Sequence, residues 1–283
     1  MSYIEADELV KIYKTDDSEV FALQGLDMQI EKGEMITVVG KSGSGKSTLM
    51  SLIGCLETPS AGKLTVNGES IIAKSRRQAE KYRRKNVGFV WQMCSKNLMS
   101  YLTASENIEV MIEKPMSRKA KKEKAAQLLD MVGLKGKENS LPHQMSGGEQ
   151  QRVAIAVAIC NEPKILLADE PTGAVDAATC NQIWQLFEKL NKELGITILI
   201  VTHDLSLAER ANRTVYISDG KISTEKVKTE SSDDSLQDEY SVLDKAGRLK
   251  LNDELLETAG IVGKRVRVTA VDGKIIIENA DVN

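Results

Sequence analysis

Glu34-Met-Ile-Thr-Val-Val39, followed at once by Gly40-Lys-Ser-Gly-Ser-Gly-Lys46-Ser47-Thr48, is the stretch that decides the fold. A short apolar run rich in β-branched residues reads as a buried strand, and the turn after it keeps the spacing GxxxxGKS/T before a helix-like segment. Gly40, Gly43 and Gly45, spaced by Ser42 and Ser44, free backbone N–H groups to wrap phosphate oxygens. Lys46 then reaches the β- and γ-phosphates, the Ser47 hydroxyl ligates Mg²⁺, and the helix opened by Thr48 adds its partial positive charge. A glycine-rich turn without function has no need of strand, spacing, lysine and hydroxyl together.

Further strand-like runs lie at 87–91, 165–168, 196–201 and 214–218, with helix-length segments such as 119–132 and 177–194 between them. Several of these runs are apolar throughout, which predicts a mainly parallel sheet covered on both faces, an α/β architecture suited to nucleotides. The 283 residues are 41% hydrophobic and 28% charged with net charge -3, so the chain is globular and offers no overall basic field to nucleic acid or an anionic membrane.

At Ile165-Leu-Leu-Ala-Asp169-Glu170 an apolar strand ends in two carboxylates. Asp169 is expected to hold Mg²⁺ and Glu170 to polarise an attacking water as general base. Paired acids at a strand end are common on surfaces, and the phosphate loop is what gives this pair its meaning.

Met145-Ser146-Gly147-Gly148-Glu149-Gln150-Gln151-Arg152 discriminates further, because small-molecule kinases with a phosphate loop lack it. Ser-Gly-Gly is also an ordinary helix cap, but the segment closely resembles the signature of the ABC (ATP-binding cassette) family, a resemblance that covers roughly residues 2–222. It implies an ABC-type P-loop NTPase fold with a helical subdomain, an ATPase cycle using ATP and Mg²⁺, and a site in which Ser146, Gly147, Gly148 and Glu149 meet the γ-phosphate held by a second subunit. By the same resemblance Gln92 is the glutamine that contacts metal and water, Asp176 closes the loop Gly173-Ala-Val-Asp176, and His203 is the switch histidine. Tyr13 would stack on adenine, with Phe21 as the next choice. Ala22-Leu-Gln-Gly-Leu, Ile53-Gly-Cys-Leu, Leu102-Thr-Ala-Ser-Glu-Asn-Ile and Ala168-Asp-Glu-Pro-Thr-Gly resemble the lipoprotein-release and macrolide-exporter subfamily. Its members use ATP to move a membrane permease, for export, lipoprotein release or mechanical signalling. Two positions and one stretch depart from the usual pattern: Glu149 for Gln, Val157 for Arg, and Cys94-Ser-Lys-Asn after Gln92, where a permease would dock.

Composition shifts after Ser223. Three parts are expected: a nucleotide-binding domain over 1–223, an acidic polar linker over 224–239, and a small β-rich domain over 240–283. In the last, alternating runs flank Asp272-Gly273, a two-residue hairpin signal. The tail resembles the swapped-hairpin module of AbrB-like regulators, with Asn252 where that family has Pro, and the resemblance implies dimerisation. Residues 241–283 hold seven Lys/Arg and seven Asp/Glu, so DNA is not an expected partner, although Lys264, Arg265 and Arg267 cluster. The alternative reading is an ATP-dependent DNA-binding regulator acting through this tail.

No apolar run approaches the roughly 20 residues of a membrane helix, and the first residues lack the features of a signal peptide. The expected location is cytoplasmic, peripheral to the inner face of the membrane, with a separate multi-span permease as partner. A homodimer is expected through the ATP sandwich and the tail. Cys55, Cys94, Cys160 and Cys180 have no CxxC spacing and read as plain thiols.

Overall fold

In the computed structural model the described residues are 2–15, 18–72, 74–173, 175–228, 237–245, 247–251, 253–262 and 265–279. The run at 34–39 forms strand β3 (Met35–Val39), which lies between β9 (Arg213–Ser218) and β8 (Thr197–Thr202), parallel to both. The sheet continues through β7 (Ile165–Asp169) to β6 (Val87–Val90), again in parallel. Helices cover it: α1 (Lys46–Ile53), α2 (Arg76–Asn86), α5 (Gly147–Ile159) and α6 (Ala177–Leu194). Strands buried on both faces need apolar residues at every position, and residues 198–201 of β8 are almost wholly inaccessible.

Residues at the helix starts explain where the helices begin. Ser75, Thr103 and Ser146 cap α2, α3 (Ala104–Met111) and α5 in reciprocal capping boxes with Gln78, Glu106 and Glu149. Ser117 caps α4 (Arg118–Met131), and Asp176 caps α6, which ends at Gly195 in the left-handed conformation. Helices α3, α4 and α5 share a core with Ile108, Ala125 and Ile155 fully buried.

A second sheet was not legible in the sequence. It is antiparallel, in the order β2-β1-β4-β5, from β1 (Ile4–Lys14), β2 (Glu19–Ile30), β4 (Ala61–Val66) and β5 (Glu69–Ser70). Strand β1 buries Ile4, Ala6 and Leu9, and a bulge at Glu8, whose φ is 48°, breaks the alternation that would have announced it.

The linker expected over 224–239 needs correction. Residues 224–228 belong to β10 (Lys221–Lys228), antiparallel to β9, and β11 (Gln237–Ser241) lies beside β10 at the sheet edge. Thr224 is buried, while Glu225 pairs with Arg213 at 3.1 Å and Lys226 with Glu239 at 3.4 Å, so ion pairs to both neighbouring strands accommodate the charge of β10. Residues 229–236 lie outside the described residues, as do Asn252, Gly263 and Lys264.

The chain divides into compact units at Met1–Tyr240 and Ser241–Asn283. The second contains a helix (Asp253–Thr258) and an antiparallel hairpin of β12 (Val266–Val271) and β13 (Lys274–Asn279). Asp272 and Gly273 turn it with φ of 50° and 75°, the pair of positive values that a two-residue hairpin turn requires. All four cysteines are free thiols. Among the described residues no helix is long and apolar enough to cross a membrane.

Candidate nucleotide site

The loop between β3 and α1 has no room for side chains at two of its glycines. A Cβ on Gly40 would stand 2.3 Å from the Ile217 carbonyl oxygen, and one on Gly45, at φ 106°, would stand 2.4 Å from that of Ala22. Lys46 is buried and donates from Nζ to the carbonyl oxygens of Gly40 (2.8 Å) and Lys41 (3.0 Å), so its ammonium sits inside the curl of the loop. Burial pulls its pKa below the ordinary lysine value, against the opposing fields of Glu170 and Asp169. The Ser44 hydroxyl is buried with no hydrogen-bond partner. An orphaned donor and a buried cation in a cradle of bare backbone fit a polyphosphate.

Asp169 and Glu170 stand at the C-terminal end of β7, beside the phosphate loop. The Asp169 carboxyl is held above its ordinary pKa, first by burial and then by Glu170; Lys96, a hydrogen bond with Ser47 and Lys46 oppose the shift. A carboxylate and a hydroxyl joined in this way are hard oxygen donors short of positive charge, a set that fits Mg²⁺. Glu170 is strained at φ 48°, held by its N–H donating to the Val201 carbonyl at 2.8 Å. Its Oε2 lies 2.6 Å from Nδ1 of His203, which is largely exposed at the end of β8. Gln92 reaches the same rim, since a Cβ on Gly173 would meet its Nε2 at 3.3 Å.

Tyr13, on β1, lies at the helix end of the loop: its hydroxyl donates to Glu57 at 2.8 Å and is 3.5 Å from the Thr48 hydroxyl. Lys11 covers its ring at 4.9 Å, and Phe21 lies exposed on the paired strand.

The signature residues gather elsewhere. Ser146 accepts from the Glu149 N–H at 3.2 Å, Glu149 accepts from the Ser146 N–H at 2.8 Å, and Lys137 pairs with Glu149 at 3.0 Å. Gly148 packs against Thr179, whose methyl would meet a Cβ there at 2.2 Å. Thr179 in turn donates to Asp176 from its backbone and its hydroxyl, so Asp176 is engaged as a helix cap. Among the described residues, no hydrogen bond or ion pair joins Ser146 or Glu149 to the phosphate loop or Glu170.

Sequence reading missed Lys96. Its ammonium lies 5.5 Å from the Trp91 ring, which stacks on Phe89 at 5.1 Å, and its field reaches Asp169. A lysine at the end of a single 3-10 turn, Cys94–Lys96, follows no period. Only the pairing of β6 with β7 brings its loop beside the carboxylates.

The ABC transporter family model matches residues 23–173. Over 213 residues the chain is 43% identical to the lipoprotein-releasing system ATP-binding protein LolD 1 of Chlorobium chlorochromatii, which covers 74% of this chain and 86% of that protein. It is 42% identical to the macrolide export ATP-binding/permease protein MacB of Hyphomonas neptunium, over 77% of this chain and 34% of that longer protein. Among solved structures, the ATP-binding cassette MJ0796, dimeric and bound to ADP and Pi, matches with a TM-score of 0.73 at 38% identity, covering 78% of this chain and 97% of that one.

Proposed function

The chain belongs to the ABC transporter family, and from that membership we infer how its residues divide the work of hydrolysing ATP. It is the ATP-binding subunit of a transporter of the lipoprotein-release and macrolide-export kind, an ATPase that yields ADP and phosphate. The observation that carries the assignment of residues is the partnerless Ser44 hydroxyl beside the buried Lys46 ammonium, in a loop closed to side chains at Gly40 and Gly45.

Lys46 gives up its bonds to the Gly40 and Lys41 carbonyls and pairs with the outer phosphates, while Ser44 donates to a phosphate oxygen. Ser47 and Asp169, with Gln92 at the rim, would hold Mg²⁺, which would supply positive charge to offset that of the phosphates. Glu170 takes the proton of the attacking water, and His203 holds its carboxylate until γ-phosphate draws the imidazole away. Tyr13 offers its ring to adenine. Ser146, Gly147, Gly148 and Glu149 serve the nucleotide of a second copy, so hydrolysis follows closure of two subunits. Lys46→Ala tests this reading. It should abolish phosphate release, and undiminished release would refute the role of the loop.

The transporter's permease is a separate multi-span protein, and this subunit sits against it on the cytoplasmic face of the membrane. The tail unit adds a second contact between copies. Its hairpin exposes Val268 and Ile275, and a lone two-stranded sheet is marginal in water. A second hairpin of the AbrB-like kind would cover that surface and raise the effective concentration of one cassette for the other. A chain ending at Ser241 should show less dimer by light scattering, and an unchanged dimer population would remove the tail from this role.

A further inference from the structure

At the opposite ends of the strands that carry the nucleotide loop lies a cavity of about 470 Å³. Lys32 precedes β3, Lys164 precedes β7, Lys81 and Lys85 belong to α2, and Lys74 lies just before that helix; all five line the cavity, with Glu69 as its one carboxylate. None of the five lysines forms an ion pair among the described residues.

A solvated lysine face is the ordinary explanation for a basic helix. Two observations argue against it here. On α2 itself two of the four arginines are engaged, Arg83 donating to the Cys55 carbonyl at 2.7 Å and Arg84 pairing with Glu113 at 3.2 Å, while the lysines facing the cavity are not. The five ammonium groups also come from three segments, Lys32 and Lys164 joining the three at α2, so no single helix's solvation puts them together. In a chain of net charge -3, this convergence raises the energy of the free protein and favours an anion.

The walls are set in advance. Tyr82 donates to the Ile53 carbonyl at 3.2 Å, and the N–H of Lys164 donates to the Asn86 carbonyl at 2.9 Å, tying α2 to α1 and to the start of β7. A pocket of this size takes a small ligand. Its lysines are compact point charges with several donors each, of the kind that binds phosphate.

We propose that this cavity binds a small, multiply charged phosphate-bearing anion, at a site separate from the nucleotide site and not required for hydrolysis. The anion is either a free polyphosphate or the headgroup of an anionic phospholipid, and the test separates the two. Pyrophosphate titrated into the full chain should reveal two classes of site, one lost in Lys46→Ala and the other weakened at least about tenfold in a Lys81→Gln/Lys85→Gln/Lys164→Gln variant. If the source is lipid, phosphatidylglycerol vesicles should sediment the wild type and release the triple variant, with no capture by phosphatidylcholine, whether or not pyrophosphate binds. Phosphate release by the triple variant should match the wild type, so the outcome is independent of the ATPase assignment. Pyrophosphate binding lost only in Lys46→Ala, together with equal vesicle capture of wild type and triple variant, would overturn the proposal. Capture of a short DNA duplex alone, abolished by the triple substitution, would overturn it as well, in favour of nucleic acid.

Discussion

Cys94 donates its thiol hydrogen to the side-chain carbonyl of Gln151 across 2.8 Å, joining the segment after Gln92 to the helix that Ser146 caps. Gln151 is buried and its Nε2 has no partner, so Cys94 holds the only described hydrogen bond of that side chain. Burial raises the Cys94 pKa, which keeps the thiol protonated and able to donate.

Cys94→Ala should therefore leave the Gln151 amide wholly unsatisfied and destabilise the chain by about 1–3 kcal/mol. Cys94→Ser restores a donor and should recover most of the loss. Thermal melting of the three proteins checks this, and an alanine variant that melts with the wild type would contradict it.

Glu170→Gln should bind ATP, stay closed as a dimer and release phosphate at least about 100-fold more slowly, because an amide cannot take a proton from water. Light scattering with ATP and a phosphate-release assay read the two effects. Ordinary turnover would overturn the assignment of the base.

Two glycines of the phosphate loop should respond differently to alanine. At Gly45 the new methyl would lie 2.4 Å from the Ala22 carbonyl oxygen, in a backbone conformation alanine avoids, whereas at Gly43 it meets nothing within 4 Å. Gly43→Ala should cost about 1–2 kcal/mol of backbone strain, and Gly45→Ala more than that, with loss of nucleotide binding. Urea titration ranks them, and equal midpoints would show that the loop yields more freely than its contacts imply.

Glu149 accepts from the Ser146 N–H and pairs with Lys137, and these contacts, the backbone hydrogen bond first, hold its pKa below the ordinary value. Since the folded value is the lower one, the carboxylate's stabilisation is fully present above the ordinary glutamate range and is lost as the pH falls below it. Glu149→Gln keeps the capping box and should melt close to the wild type at neutral pH, with a shallower acid dependence. Glu149→Ala removes the acceptor of the Ser146 N–H and should melt below both. Melts of all three at neutral and acid pH decide the matter.

Much of the nucleotide site was legible because its constraints are local. Positive φ at Gly43 and Gly45, a lysine and serine opening a helix, and two acids ending an apolar strand are all written in contiguous residues. The antiparallel sheet was hidden because the bulge at Glu8 breaks its period, and β10 because ion pairs compensate its charges. By itself the sequence determined the parallel sheet, the phosphate loop and the order of the acids after it. Only the tertiary structure decided that Cys94 meets Gln151, that the field of Lys96 reaches Asp169, and that five lysines from three segments ring one cavity. Backbone conformation and capping act over a few neighbouring residues, whereas these side chains are brought together by the packing of segments far apart in the chain.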